Sequence, residues 1–260
     1  MTVADIYRRD GIVQVPQLLA AAEVEQIKSV FMDQVAADHS LAIDDGVPED
    51  DPLARFPRFV HPHRRSDLPV GRLSLELMLD SRILDVVTVL IGPSLGAQSM
   101  FYFKPPGARG QALHQDNMSL RADPETCLAA WIAIDDVDAA NGGLAVVPGS
   151  HQTELACPEH ADLAESFTNA EVPIPDGLSK VQTRMKAGDV LFFHGSVVHG
   201  SRPNSTADRF RRALIFHYIP EDSTEIAAFY NPLVRPDRRP TVLAEAIGGG
   251  PCGDYAQAEP

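Results

Sequence analysis

Residues 97–134 read AQSMFYFKPPGARGQALHQDNMSLRADPETCLAAWIAI. Two apolar runs, Ala97 to Phe103 and Cys127 to Ile134, flank a segment broken by proline, glycine and charge. Each run has the length of a strand rather than of a helix. Further runs of this kind follow at Gly143 to Val147, Val190 to Phe193 and Arg212 to Tyr218, separated by Gly, Pro, Asn and Asp. Short strands so spaced favour a β-sandwich or small barrel over a parallel α/β sheet.

Upstream the texture is helical. Gly11 to Pro16 is strand-like, and Ala20 to Ala37 carries Val24, Ile27, Phe31 and Val35 at helical spacing. Asp44 to Arg65 reads as a loop, with an acidic run (Asp44, Asp45, Glu49, Asp50, Asp51) and a basic cluster (Arg55, Arg58, Arg64, Arg65). Leu73 to Ile91 has the period of one helix, stopped by Gly92-Pro93. Pro158 to Ser179 reads as an insertion or lid loop, and the chain beyond Pro232, with its Gly248-Gly249-Gly250, as loosely ordered. The simplest organisation is a single domain over 1–260: a mostly helical part over 1–95 packed on a β core over 96–220, with a C-terminal extension over 221–260.

Composition narrows the function. The 260 residues are 44% hydrophobic and 22% charged, which excludes disorder as the dominant state. A formal net charge of −14 repels a phosphate backbone and an anionic membrane surface, so neither nucleic acid nor membrane is an expected partner. No run approaches the ~18 apolar residues of a membrane span. The three cysteines are an odd number without CxxC spacing, and Met1 to Asp10 lacks an apolar leader. The expectation is a cytoplasmic protein without a disulfide framework or a zinc site. No nucleophile elbow, Walker loop or dinucleotide fingerprint occurs.

The chemistry lies in His114-Gln115-Asp116 and in His199, within Val198-His199-Gly200-Ser201. Side chains alternate along a strand, so His-x-Asp puts an imidazole and a carboxylate on one side, and a distant His can close one face of an octahedron. Two imidazoles and one carboxylate leave positions open for a co-substrate and O₂ on non-haem Fe(II). Arg211 and Arg212 stand at the start of the strand-like run after His199. A planar guanidinium there suits the far carboxylate of a dicarboxylate, although a surface pairing with Asp208 or Glu221 is the bland alternative. His194-Gly195-Ser196 repeats the His-Gly-Ser pattern just before His199.

With these residues in hand, the chain resembles the phytanoyl-CoA dioxygenase family of Fe(II)/2-oxoglutarate-dependent oxygenases. The resemblance runs from Tyr7-x-x-Asp10-Gly11 through Phe103-Lys104-Pro105-Pro106-Gly107, Leu113-His114-Gln115-Asp116, Asn141-Gly142-Gly143 and Val147-Pro148-Gly149-Ser150-His151. It continues through Gly188-Asp189-Val190 to His199-Gly200-Ser201 and Phe210-Arg211-Arg212-Ala213. It implies a mainly β fold with flanking helices around a double-stranded β-helix (jelly-roll, cupin-like) core. It also implies His114, Asp116 and His199 as catalytic iron ligands, with Fe(II), 2-oxoglutarate and O₂ as cofactor and co-substrates. By the same matching Arg211 grips the distal carboxylate with help from Ser201, and Met100 and Trp131 line the co-substrate pocket. The spacing from the second His leaves Arg209 and Arg212 as alternatives to Arg211, and the resemblance places the ligand at the later His-Gly-Ser, leaving His194 to support the site from behind or to pack, the packing role being the expectation. Related halogenases carry a small residue where this chain has Asp116, so hydroxylation of a C–H bond is expected, with release of succinate and CO₂.

Weaker candidates complete the reading. Gln98, Met100, Tyr102 and Lys104 alternate along one strand and should share a face, Gln98 and Tyr102 lining the pocket and Lys104 free to snorkel to solvent. Asn117 and Ser119 follow Asp116 and are candidates for substrate contact. Arg58, in the basic stretch, could grip an anionic small-molecule substrate such as a CoA phosphate, against the plainer reading of a solvated loop paired with Asp44 to Asp51. His151 is expected in a structural hydrogen bond. The alternative function is a cupin-like metal protein without oxidative chemistry: a sensor, a binding module or a lyase.

Overall fold

The computed structural model describes residues 1–43 and 47–247; Asp44, Asp45, the Gly248-Gly249-Gly250 run and Cys252 lie outside them. Helix α1 (Val3–Asp10) starts at Thr2, whose hydroxyl accepts from Asp5 N while the Asp5 carboxylate accepts from Thr2 N, a reciprocal cap. Strand β1 (Ile12–Val15) and helix α2 (Ala21–Ala37) follow, then α3 (Pro52–Arg55) and β2 (Phe59–Val60). Where one helix is expected over Leu73 to Ile91 there are two, α4 (Pro69–Met78) and α5 (Ser81–Ile91). The Asp80 carboxylate accepts from Arg82 N and starts α5 afresh, a preference for capping that side-chain periodicity does not reveal.

The β region comprises β3 (Ser94–Tyr102), β4 (Gln111–His114), a helical turn α6 (Asn117–Leu120), β5 (Leu128–Ala133), β6 (Leu144–Val146), β7 (Glu159–His160), β8 (Ala170–Glu171), β9 (Val181–Gln182), β10 (Val190–His194), β11 (His199–Ser201) and β12 (Ala213–Pro220). The larger sheet runs β1-β10-β5-β12-β3, and the smaller β4-β11-β6-β9, with antiparallel neighbours throughout. This is the expected double-stranded β-helix, with the helices outside the larger sheet.

Both faces of the larger sheet are buried, so its central strands read as continuous apolar runs rather than as alternation. On β5, Leu128, Ala130 and Ile132 pack toward the helices in one cluster, and Ala129, Trp131 and Ala133 pack inside the barrel in another. On β12, Leu214, Phe216 and Tyr218 go outward and Ala213 and Ile215 inward, with a bulge between His217 and Tyr218. The extra residue is Ala97 of β3, so β12 keeps its alternation, with His217 on the interior side and Tyr218 on the helix side. Inside the barrel, Leu144 and Val146 of β6 meet Trp131, Phe193 and Ile215 of the larger sheet.

Two expectations about the periphery change. The lid loop carries the small hairpin β7–β8. The extension is pinned as far as the described residues go: β13 (Glu225–Ile226) pairs with β16 (Ala244–Glu245), and β14 (Leu233–Val234) joins β15 (Pro240–Thr241) to β3. The Asn231 amide grips Leu243 through both its backbone groups. Cys127 is free and buried, but Cys157 is disulfide-bonded, against the expectation of no disulfide. Among the described residues no helix is long and apolar enough to cross a membrane.

Helix α2 is fastened to the sheet by Phe31, fully buried and stacked on Phe101 of β3 with ring centroids 3.9 Å apart. Phe31→Ala is expected to lower stability by about 3–5 kcal/mol. A urea titration checks this: the midpoint should fall with the slope unchanged.

Candidate metal centre

His114 ends β4 and His199 begins β11, and the two residues pair directly across these strands. Asp116 follows where β4 gives way to α6, so the chain turns and the carboxylate comes back beside both imidazoles. Asp116 Oδ1 lies 3.6 Å from His114 Nε2 and 3.7 Å from His199 Nε2. One ligand atom from each residue falls within 4.8 Å of the others, among the described residues the one such group.

The ring tautomers are set from behind. His114 Nδ1 faces Ala112 O at 2.9 Å and His199 Nδ1 faces Val197 O at 3.0 Å. A carbonyl only accepts, so each Nδ1 carries the proton and each Nε2 turns its lone pair inward. Burial, then the neighbouring His199, pushes His114 down to about 4, which keeps the ring neutral. Burial of Asp116 works to raise its pKa, but His199, His217 and His114 outweigh it and hold the carboxyl below its usual range. His194 sits elsewhere: it is the next residue after Phe193 on β10 and points to the other face, against His151 and Tyr7. Phe193 faces inward and covers His199, with ring centroids 4.5 Å apart. His151 bonds Arg8 O at 3.3 Å.

Beside the triad is a cavity lined by Met100, Tyr102, Trp131, Leu144, Phe193, Ile215 and Arg211, with Gln111, Ser201 and His217 at its polar parts. Arg211 is 2% exposed, its guanidinium carbon 5.5 Å from the Trp131 ring centre. Nε donates to Gly142 O at 3.1 Å, while Nη1 is buried without a partner among the described residues. Burial lowers Arg211 to about 10. The other two arginines are spoken for, Arg209 by Asp138 at 2.9 Å and Arg212 by Asp135 at 2.7 Å; these acids are neither of the partners considered from sequence.

The remaining candidates disperse. Gln98 pairs with His217 across β3 and β12 and is not among the lining residues. Asn117 is turned away from the cavity, its amide donating to Ser196 Oγ at 2.7 Å. Ser119 is half-buried on α6, outside the cavity. Arg58 lies over Phe167 and Tyr102, 4.3 and 5.9 Å from their centroids. Arg64 instead donates to Tyr230 O, Arg65 pairs with Asp67, and Asp51 pairs with Arg109, so these residues do not converge on one anion site among the described residues. A larger cavity, about 350 Å³, lies on the outer side of β4 and β11 under residues 162–180 and contains none of the three ligands.

Two residues of the site were not assigned from sequence. His217 Nε2 meets Asp116 Oδ2 at 3.1 Å and so holds the carboxylate oxygen that faces away from the imidazoles. Its signal was present, since His217 continues the inward alternation of Ala213 and Ile215. Lys104, expected to reach solvent, is only 5% exposed.

A sequence model described as phytanoyl-CoA dioxygenase matches residues 7–213. The chain is 35% identical to phytanoyl-CoA dioxygenase 1 of Oryza sativa subsp. japonica over 129 residues, 49% of this chain and 46% of the relative. It is 34% identical to phytanoyl-CoA dioxygenase of Arabidopsis thaliana over 133 residues, 50% and 46% of the two chains. The matched region thus spans about half the length of these relatives. Among solved structures it is similar to the non-heme alpha-ketoglutarate-dependent carbocyclase SnoK from nogalamycin biosynthesis, with TM-score 0.67 and 25% identity over 85% and 84% of the chains. The epimerase SnoN from the same biosynthesis shares the fold, with TM-score 0.70 and 24% identity over 95% and 94%.

His199→Ala is expected to abolish Fe(II) binding while His194→Ala retains it; equilibrium titration with Fe(II) or Co(II) distinguishes the two, and the opposite pattern would reassign the ligand. His217→Leu should weaken metal affinity by about ten- to a hundredfold through loss of the hold on Asp116 Oδ2. The same titration reads it, with a thermal melt to separate misfolding from lost affinity.

Proposed function

The chain belongs to the phytanoyl-CoA dioxygenase family, and from that premise we propose that it is an Fe(II)/2-oxoglutarate-dependent dioxygenase hydroxylating an unactivated C–H bond of a small-molecule metabolite. The observation that carries this is a buried guanidinium, Arg211, with no acid partner among the described residues, in the same cavity as a two-imidazole, one-carboxylate triad. The donor set suits non-haem iron, and the orphaned Nη1 suits a dicarboxylate.

His114 Nε2, His199 Nε2 and Asp116 Oδ1 would hold the metal, with Arg211 and Ser201 at the far carboxylate of 2-oxoglutarate. When bound, this pair with O₂ supplies an oxidation that converts 2-oxoglutarate to succinate and CO₂ and places a hydroxyl on the substrate carbon. The chain's own part is orientation and exclusion of water. The Ala112 and Val197 carbonyls keep both ligand nitrogens unprotonated. Trp131 supports the guanidinium by cation–π contact. Met100, Leu144, Phe193 and Ile215 give the cavity an apolar wall, which strengthens every charged contact inside it. Asp116 occupies the third ligand position, which supports a hydroxylase over a halogenase. The rim at Tyr102 and Arg58 is the substrate-facing candidate, and the dispersal of Arg64 and Arg65 favours a free metabolite over a CoA thioester.

Mixing the protein anaerobically with Fe(II) and 2-oxoglutarate should produce a weak visible charge-transfer band, and air should then release succinate. Arg211→Ala should raise the 2-oxoglutarate Kd by about two orders of magnitude, with Arg209→Ala near wild type. Bound metal without band or succinate would favour the non-oxidative cupin-like alternative.

A further inference from the structure

Arg211 is not the only buried cation at the carboxylate end of the cavity. Lys104 is 5% exposed, and its Nζ reaches three oxygens: Ser201 Oγ at 2.7 Å, Arg202 O at 2.5 Å and Gly142 O at 3.1 Å. Gly142 O therefore accepts from both cations, since Arg211 Nε also donates to it at 3.1 Å. No salt bridge to an acid joins either cation among the described residues. Two adjacent buried basic groups with no counterion among the described residues are costly to keep charged together unless an anion occupies the space before them.

The backbone is shaped to bring Lys104 there. Its φ is +34°, a strained value for a side-chain-bearing residue that precedes a proline. Lys104 O accepts from Arg211 N at 3.0 Å and from the Asn204 amide at 3.2 Å, so the two cations are also tied through their backbones. Gly142 leaves the lysine room: a Cβ there would stand 2.8 Å from Lys104 Cε and 2.9 Å from Nζ. Strain of this kind persists only where the surroundings over-determine it, and it collects at functional sites.

The consequence falls on Ser201. An ammonium has three donors and no acceptor, and here three oxygens receive them. Ser201 Oγ also accepts from Gln111 N at 3.3 Å. With both acceptor positions of the hydroxyl filled by Lys104 and Gln111, its single proton is left to point into the cavity that Ser201 shares with Arg211. We propose that Lys104 is a positioning residue of the co-substrate site, its ammonium fixing the Ser201 hydroxyl as a donor to the distal carboxylate and adding a second positive charge behind it. This rests on the reading of Arg211 as the 2-oxoglutarate anchor. Burial, then Arg211, lowers the proton affinity of Lys104 in the free protein, and a carboxylate in the cavity opposes that.

The test is a comparison of two keto acids by anaerobic Fe(II) titration of the charge-transfer band: 2-oxoglutarate and 2-oxopentanoate, which has a methyl in place of the distal carboxylate. Lys104→Met should raise the 2-oxoglutarate Kd about ten- to a hundredfold, the scale of a lost hydrogen bond to a charged group, and leave 2-oxopentanoate unchanged. Lys104→Gln, which keeps one donor for Ser201, should lie between. Because Lys104 acts through Ser201, Lys104→Met combined with Ser201→Ala should be little worse than the poorer single variant. Equal losses for both keto acids would reduce Lys104 to a packing residue, wild-type affinity in Lys104→Met would overturn the proposal, and fully multiplicative losses would overturn the route through Ser201. A wild-type protein that does not distinguish the two keto acids would instead remove the Arg211 reading beneath it.

Discussion

The direct pairing of His114 with His199 is the contact on which the site depends. It sits in the smaller sheet, where β4 has four residues and β11 three, so few ladder bonds set the register. Slippage by one residue would turn an imidazole to the outer face, because side chains alternate with period two. The pairing is held by what surrounds it: β6 on the far side of β11, Phe193 over the His199 ring, and the turn into α6 that returns Asp116 to both rings. His217 reaches the same carboxylate from the opposite sheet, so the triad spans the barrel and ties its two halves together.

The barrel interior is graded. Around Trp131, Phe193 and Ile215 it is apolar; at one end are the imidazoles and Asp116, and at the other Arg211 and Lys104. The cost of this arrangement is borne in the free protein, where Arg211 Nη1 has no partner among the described residues and two buried basic groups share Gly142 O. Such a site sacrifices stability for a defined ligand geometry, a common trade in enzymes.

The His-x-Asp spacing led to the expectation of both groups on one side of a strand; in the structure β4 ends at His114, and the turn into α6 brings Asp116 back beside both imidazoles. Met100 shares its face with Tyr102 by alternation, Trp131 was placed by the resemblance, and the structure separates His194 from His199 because Phe193 takes the inward place before His194 on β10. The arginines were not separable, since Arg209, Arg211 and Arg212 crowd within four positions and are sorted only by Asp138 and Asp135, which come from a distant turn. Asn117 misled because it follows a ligand closely, yet α6 turns it toward Ser196. The break between α4 and α5 and the pinned C-terminal strands escaped notice because caps and two-residue bridges leave little periodic trace.

By itself the sequence determined the strand-rich core and the helical flank, because composition and periodicity act over a few residues at a time, and the resemblance carried by its linked motifs pointed to His114, Asp116 and His199. Only the tertiary structure decided which of the three arginines has no acid partner among the described residues, that Lys104 turns inward, and that His217 supports Asp116. Those outcomes depend on which distant segments meet, and that is settled by packing and by the pairing of buried charges across the whole chain.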